Sequence, residues 1–229
     1  AIARIRRGLV TRLYRAAFKQ KHLAVIFQNP DDRDALLGLK ALKSEQARMI
    51  RGSGVALADY PCVPEPEGKA AVVVMAARLL RDKGVFEFVQ AARLLQGRGL
   101  SVVMRLIGSP DSGNPTSVTQ QELCQWESEG DVELLGYRKD IAAQYAAAHI
   151  VCLPSYREGL PKSLVEAAAC GRAVVTTDVP GCRDAITPGI TGLLVPVKDA
   201  VALADEIQTL IEGPLLRNNM GQAGRALAE

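Results

Sequence analysis

The feature that most constrains this chain is an alternation. Short runs rich in β-branched residues recur between stretches whose apolar residues step by three and four. The runs fall at residues 23–27, 70–77, 101–107, 131–135, 149–153, 173–177 and 192–195. Apolar runs of this length suit strands buried on both faces, and the intervening patterns suit helices that cover those faces. Val85, Phe88, Val89, Ala92 and Leu95 follow helical spacing, as do Leu160, Leu164, Ala167 and Ala168. Further helices are expected over 201–211 and 215–227. The combination predicts the α/β class, with a doubly wound, Rossmann-like parallel sheet of about six strands.

Composition matters mainly for what it excludes. A chain of 229 residues, 48% hydrophobic and 23% charged, can bury a substantial core. No apolar run reaches the roughly 18 residues that would span a bilayer. The first 21 residues hold seven basic side chains (Arg4, Arg6, Arg7, Arg12, Arg15, Lys19, Lys21) and no acid, whereas acids outnumber bases in the remainder. With only 4% aromatics the body lacks the basic, aromatic-laced face of a nucleic-acid binder, so no nucleic-acid partner is expected. On a helical wheel Ile2, Ile5, Leu9, Leu13 and Ala16 share one side; Arg4, Arg7, Arg12, Arg15 and Lys19 share the other. Such a helix suits peripheral contact with an anionic membrane, and equally a domain surface with a solvated basic face. The five cysteines form no C-x-x-C pair, and Cys152 and Cys170 sit in apolar segments. A reducing, cytoplasmic setting, at the inner face of the cell membrane if the helix binds lipid, and no metal site are therefore expected. His22 and His149, flanked by apolar residues, read as packing residues.

The stretch YPCVPEPEG at 60–68 has three prolines and a glycine and reads as a linker. Residues 1–59 then comprise the basic helix and one β–α–β unit, in which Asn29 caps a helix that Pro30 opens. They are read as the end of a preceding domain, and 69–229 as the main one.

Open α/β sheets bind ligands at the carboxyl ends of their strands. The dinucleotide fingerprint is absent, because Leu57 stands where the third glycine after Gly52 and Gly54 should be. No Gly-Lys-Ser/Thr triplet of a P-loop occurs either. After the 70–77 strand, however, Arg78 leaves the strand end and Lys83 is expected at the start of the next helix. Taken alone, two cations in a loop fit a solvated surface. After the 149–153 strand the chain reads PSYREGLPKSLVEAAACG. Pro161 is expected at the first helical position, leaving the amides of Lys162, Ser163 and Leu164 unpaired as an anion cradle. Glu158 and Glu166 flank it, and carboxylates accept well from sugar hydroxyls. A ligand with a central diphosphate and a sugar at each end would use all of these groups.

These residues also carry a family resemblance. The R-x4-K-G of Arg78 to Gly84 and the E-x7-E of Glu158 to Glu166 resemble the donor-site signatures of retaining GT-B glycosyltransferases, family 4. The segments VTTDVPGCRDAI and GITGLLVP resemble the C-terminal domain of the same family. The resemblance runs from about Arg51 to the end and is greatest to bacterial transferases of polysaccharide and lipid-linked oligosaccharide synthesis. It implies a hexosyltransferase that uses a nucleotide-diphosphate sugar, chiefly a UDP-sugar, with no cofactor or metal and a glycan or lipid-linked acceptor. Arg78, Lys83 and Glu158 would be catalytic, with the two cations on the diphosphate and Glu158 on the transferred sugar. Glu166 would hold the ribose, and Gly159, Leu160, Pro161, Lys162 and Ser163 would support phosphate and sugar. Gly108 would allow close backbone approach, and Tyr137 and Arg138 would lie near the base. Against the family pattern, residues 1–59 cover only the end of a first domain, and no final crossing helix follows Glu229. The chain is therefore expected to be a fragment that carries the donor site and is inactive alone. A nucleotide-sugar-binding module without turnover, a GDP-sugar transferase and a sugar phosphorylase of the same fold stay open.

Overall fold

The computed structural model describes residues 2–20 and 22–229 and resolves them into two compact units, residues 1–53 and 54–229. In the first unit helix α1 (Ile2–Ala17) precedes strand β1 (Val25–Phe27), helix α2 (Pro30–Gly38) and strand β2 (Ala47–Met49), and β1 and β2 pair in parallel. The expected cap of α2 is present. Asn29 has extended backbone, its side chain accepts from the Asp32 amide at 2.8 Å, and Pro30 opens the helix. Leu9 and Leu13 of α1 are more than half exposed. Lys21 and the side chains of Ile2, Arg4, Ile5 and Arg7, which complete the expected amphipathic faces, lie outside the described residues.

The second unit holds a six-stranded sheet made from β3 (Ala71–Ala76), β4 (Val102–Ile107), β5 (Glu133–Gly136), β6 (Ile150–Leu153), β7 (Ala173–Thr177) and β8 (Gly192–Val195). All neighbouring pairs are parallel and the order is β5-β4-β3-β6-β7-β8. The chain thus begins at the centre, winds out to one edge, returns beside its starting strand and winds out to the other. The order reverses between β3 and β6, and a crevice opens there at the strand C-termini. The predicted doubly wound sheet is the one observed.

Helices α3 (Val85–Gly97) and α7 (Ala200–Glu212) bury the stripes read from the sequence. Phe88, Val89, Ala92 and Leu95 of α3, and Leu203 and Ile207 of α7, are buried against the sheet. Each such Leu or Ile contributes about 1.5–3 kcal/mol by leaving water. Helices α4 (Gln120–Glu129) and α5 (Ile141–Ala146) have no counterpart among the expected elements. Helices α6 (Lys162–Ala169) and α8 (Pro214–Ala228) complete the unit.

Two local expectations are corrected. Lys83 does not start α3. It ends a 3₁₀ turn, Arg81–Lys83, and Gly84 then caps the helix in the left-handed region at φ 76°. A Cβ on Gly84 would sit 2.1 Å from the Pro154 carbonyl oxygen, so glycine lets the loops after β3 and β6 close on each other. Pro161 is not the first helical residue but the extended cap before it, at ψ 119°. Residues 60–68, read from their prolines as a linker, run as a strap along the second unit. Arg172 donates to the Val63 and Pro64 carbonyls, and Arg217 makes a paired contact with Glu65 at 3.0 and 2.7 Å.

Candidate functional site

The crevice at the strand C-termini is a cleft of about 910 Å³. Its walls come from the segments that follow β3, β4, β5 and β6, joined by Asp59 and by Tyr60 of the strap. The structure brings Arg78, Lys83, Gly108, Tyr137, Arg138, Glu158, Pro161, Lys162, Ser163 and Glu166 together on it. Gly159 and Leu160 do not line it. The Gly159 carbonyl instead faces Gly181, whose Cβ would strike the Glu158 and Gly159 carbonyls at 2.5–2.6 Å. Gly181, at φ 83°, thus supports the Glu158 loop from behind. Its signal in the sequence was the Pro180-Gly181 pair, a turn dipeptide.

The charges are paired, not massed. Lys83 Nζ lies 2.5 Å from Glu158 Oε1, with both side chains largely buried, so one ion pair spans the point where the strand order reverses. Backbone bonds fix the two loops that carry it. The Tyr156 amide donates to the Asp82 carbonyl at 2.9 Å, and Ser155 Oγ to the same oxygen at 3.1 Å. Arg78 is more exposed, at 63%, and meets Asp111 at 3.1 Å; a surface pair of this kind contributes about 0–1 kcal/mol and yields readily to a competing anion. Arg138 holds Asp140 with two bonds of 2.8 and 2.7 Å, and together with Gln144 keeps that carboxyl well below the usual carboxylate range. Tyr137 beside it is 71% exposed and offers an open ring face.

The N-terminus of α6 points into the same cleft. No side chain caps it, and the Lys162 and Ser163 amides begin the helix. The Leu164 amide is not part of this cradle as expected, because it donates to the Pro161 carbonyl at 3.1 Å. Glu166, one turn further on, is 8% exposed. Its Oε1 accepts from Tyr60 Oη at 2.6 Å and lies 3.2 Å from Lys162 Nζ. Burial first, and then the hydrogen bond to Glu166, push the Tyr60 phenol above its ordinary range. Tyr145 is fully buried on the cleft wall, its hydroxyl has no hydrogen-bond partner among the described residues, and burial followed by the Glu166 charge raises its pKa too. Neither tyrosine was legible as a site residue. Tyr60 stood in an apparent linker and Tyr145 in an alanine-rich apolar stretch.

Gly108 lines the cleft as expected of it, and packing gives it a further reason to be glycine. At φ 144° its Cβ would lie 1.9 Å from the Ala77 carbonyl, so the close approach it permits is between the ends of β3 and β4. The cleft offers cations and helix amides at its floor, carboxylates beside them and an exposed ring at one end. That inventory can take an anion flanked by hydroxyl-bearing groups.

A doubly wound parallel sheet with its polar cleft at the switch point defines an α/β domain of the nucleotide-binding type. Residues 63–227 match the glycosyl transferases group 1 family, and the chain belongs to that family. Among its relatives, it is 34% identical over 232 residues to the N,N'-diacetylbacillosaminyl-diphospho-undecaprenol alpha-1,3-N-acetylgalactosaminyltransferase of Campylobacter jejuni, covering 96% of this chain and 59% of that protein. It is 30% identical over 158 residues to the capsular polysaccharide biosynthesis glycosyltransferase CapM of Staphylococcus aureus, covering 69% of this chain and 41% of the relative. The chain thus spans roughly half of the length of these relatives. Among solved structures, the sucrose-phosphate synthase of Thermosynechococcus elongatus superposes with a TM-score of 0.80 at 26% identity over 95% of this chain and 56% of the other. HepE of Anabaena, solved in complex with UDP and glucose, gives a TM-score of 0.79 at 23% identity over 95% of this chain and 62% of the other. The GT-B type of domain expected from the motifs is therefore the type present.

Proposed function

We propose that this chain supplies the donor side of a hexosyltransferase that moves a sugar from a nucleotide diphosphate, chiefly UDP, to a lipid-linked or glycan acceptor. The observation that carries this reading is the Lys83–Glu158 pair across the switch point, with Arg78 and the open N-terminus of α6 beside it. A diphosphate needs several convergent donors, and these groups supply them without a bound metal ion. Breaking the sugar–phosphate bond leaves negative charge on the diphosphate; Arg78, Lys83 and the α6 amides are placed to stabilise it as it develops. Glu158 would take hydroxyls of the transferred sugar, Glu166 those of the ribose, and Tyr137 would stack near the base. Retention of configuration at the sugar is part of the same proposal and rests on the family resemblance. A lipid-linked acceptor is supported by the name of the Campylobacter relative, which describes transfer onto a diphospho-undecaprenol glycan. We place the chain, with its basic α1, against an anionic membrane surface. Among the described residues no helix is long and apolar enough to cross one.

The test is calorimetric titration of UDP and of uridine. Arg78→Ala and Lys83→Ala should each weaken UDP by roughly 1.5–3 kcal/mol, the range for hydrogen bonds to charged groups, and leave uridine unchanged. UDP affinity unaltered in both variants would remove the anion site and the function built on it.

A further inference from the structure

Glu166 is the more deeply set of the two cleft carboxylates, and its surroundings contain a feature that the sugar-transfer reading leaves unused. Two donors, Tyr60 Oη at 2.6 Å and Lys162 Nζ at 3.2 Å, both go to Oε1. Among the described residues no protein donor is bonded to Oε2. A carboxylate held by one oxygen through two donors has its plane fixed, and its second oxygen remains for a ligand. Lys162 is a weak anchor. It is largely exposed and sits one helical turn away on a flexible stem. Tyr60 is a firm one, with a rigid ring whose backbone is tied down. The Arg225 guanidinium donates to the Tyr60 carbonyl at 3.1 Å and to the carbonyl of Ala169, the last residue of α6, at 2.7 Å. One side chain therefore clamps the strap to the helix that bears Glu166. Arg172 and Arg217 hold the next residues of the strap at Val63, Pro64 and Glu65.

We propose that Tyr60 is a positioning residue of the donor site, which fixes the Glu166 carboxylate so that Oε2 meets the ribose hydroxyls of the bound nucleotide. The proposal rests on the assignment of Glu166 to the ribose. The Tyr60 hydroxyl is spent on Glu166, and it contributes by removing the rotational freedom that Glu166 would otherwise lose on binding. The strap thereby becomes part of the donor site.

The test compares UDP with 2′,3′-dideoxy-UDP by calorimetry on the full chain, taking the ratio of their dissociation constants as the worth of the ribose hydroxyls. Tyr60→Phe keeps the ring and removes the donor. It should reduce that ratio roughly fivefold through weaker UDP binding, with dideoxy-UDP unchanged. Glu166→Gln should reduce the ratio as well. If Glu166→Gln lowers the ratio and Tyr60→Phe does not, the positioning role is wrong while the ribose assignment stands. If Tyr60→Phe weakens both ligands equally, its effect is on the fold and the proposal fails. If Glu166→Gln leaves the ratio untouched, the ribose assignment fails and the role of Tyr60 with it. Should the Phe variant not fold, 3,5-difluorotyrosine at position 60 gives the same reading, because its stronger phenol donor should raise the ratio and an unmoved ratio overturns the proposal.

Discussion

Lys83 has two suitors in the proposed reaction: the Glu158 carboxylate it holds at 2.5 Å and the diphosphate it is assigned to bind. The pair is largely buried, so neither charge is well solvated, and each stabilises the other. A diphosphate must therefore draw Lys83 partly away from Glu158, and Glu158 is released toward the sugar as it does so. Glu158→Gln should accordingly bind UDP more tightly than the parent chain, by about fivefold or on the order of 1 kcal/mol, yet bind or turn over UDP-sugar less well. Titration of UDP against both chains checks this, and weaker UDP binding in the variant would place Glu158 on the phosphate instead. The positions of this pair were legible in the sequence because each follows an apolar run and precedes a helical pattern. What the sequence could not show was that the two meet. Arg78 to Gly84 and Glu158 to Glu166 are separated by some seventy residues, and only the crossover that sets β3 beside β6 joins them. Tyr60 and Tyr145 were hidden because neither belongs to a motif: one stands in a proline-rich stretch that read as a linker, the other among alanines.

At the level of elements, legibility followed burial. The strands could be placed because β6 and β7 are buried along their whole length and so are written as runs of apolar and β-branched residues. Helix α4 buries only Leu123 and Trp126, too few to show a period, although Thr119 and Glu122 form a capping box that its T-x-x-E spacing could have revealed. Helix α5 is six residues long, half of them alanine, and is too short to show a period. Helix α1 was anticipated as a helix, and Leu9 and Leu13 of its expected apolar side are described. Leu9 and Leu13 stand 58% and 61% exposed, on a helix with no acidic residue in its first turn and Arg15 in its last. These exposed leucines, with the basic side chains around them, match an anionic lipid surface. Sedimentation with vesicles containing anionic lipid should therefore carry the chain down at low salt and lose it as ionic strength rises toward the range where the Debye length falls to a few ångströms. Deleting residues 1–21 should abolish the effect. Binding that ignores salt, or survives the deletion, would rule out this role for α1.

For the molecule as a whole, the seam between β3 and β6 is both the line on which the sheet reverses and the floor of the cleft, and it begins at a histidine. His149 donates its amide to the Val72 carbonyl at 2.8 Å, and its ring Nδ1 accepts from the Val72 amide at 2.9 Å. The ring is thus a strand-mimicking acceptor, and it works only while Nδ1 carries no proton. Burial first, then the positive charge of Arg217 and more weakly Arg172, hold its pKa below the ordinary histidine value. Glu65 and a backbone bond at Pro66 pull the other way without reversing the sign. A histidine whose pKa is depressed on folding is protonated more readily in the unfolded chain, so stability is full above the unfolded value of about 6.5 and falls as the pH drops below it. The free energy of unfolding, measured by denaturant titration, should therefore decline between pH 7 and pH 5, before the carboxylates begin to titrate. His149→Asn retains a side-chain acceptor and cannot gain the proton, so it should flatten that decline even if it lowers stability at pH 7. A parent chain whose stability is level from pH 7 to 5, or a variant that keeps the full slope, would show that the seam is not what the acid finds first.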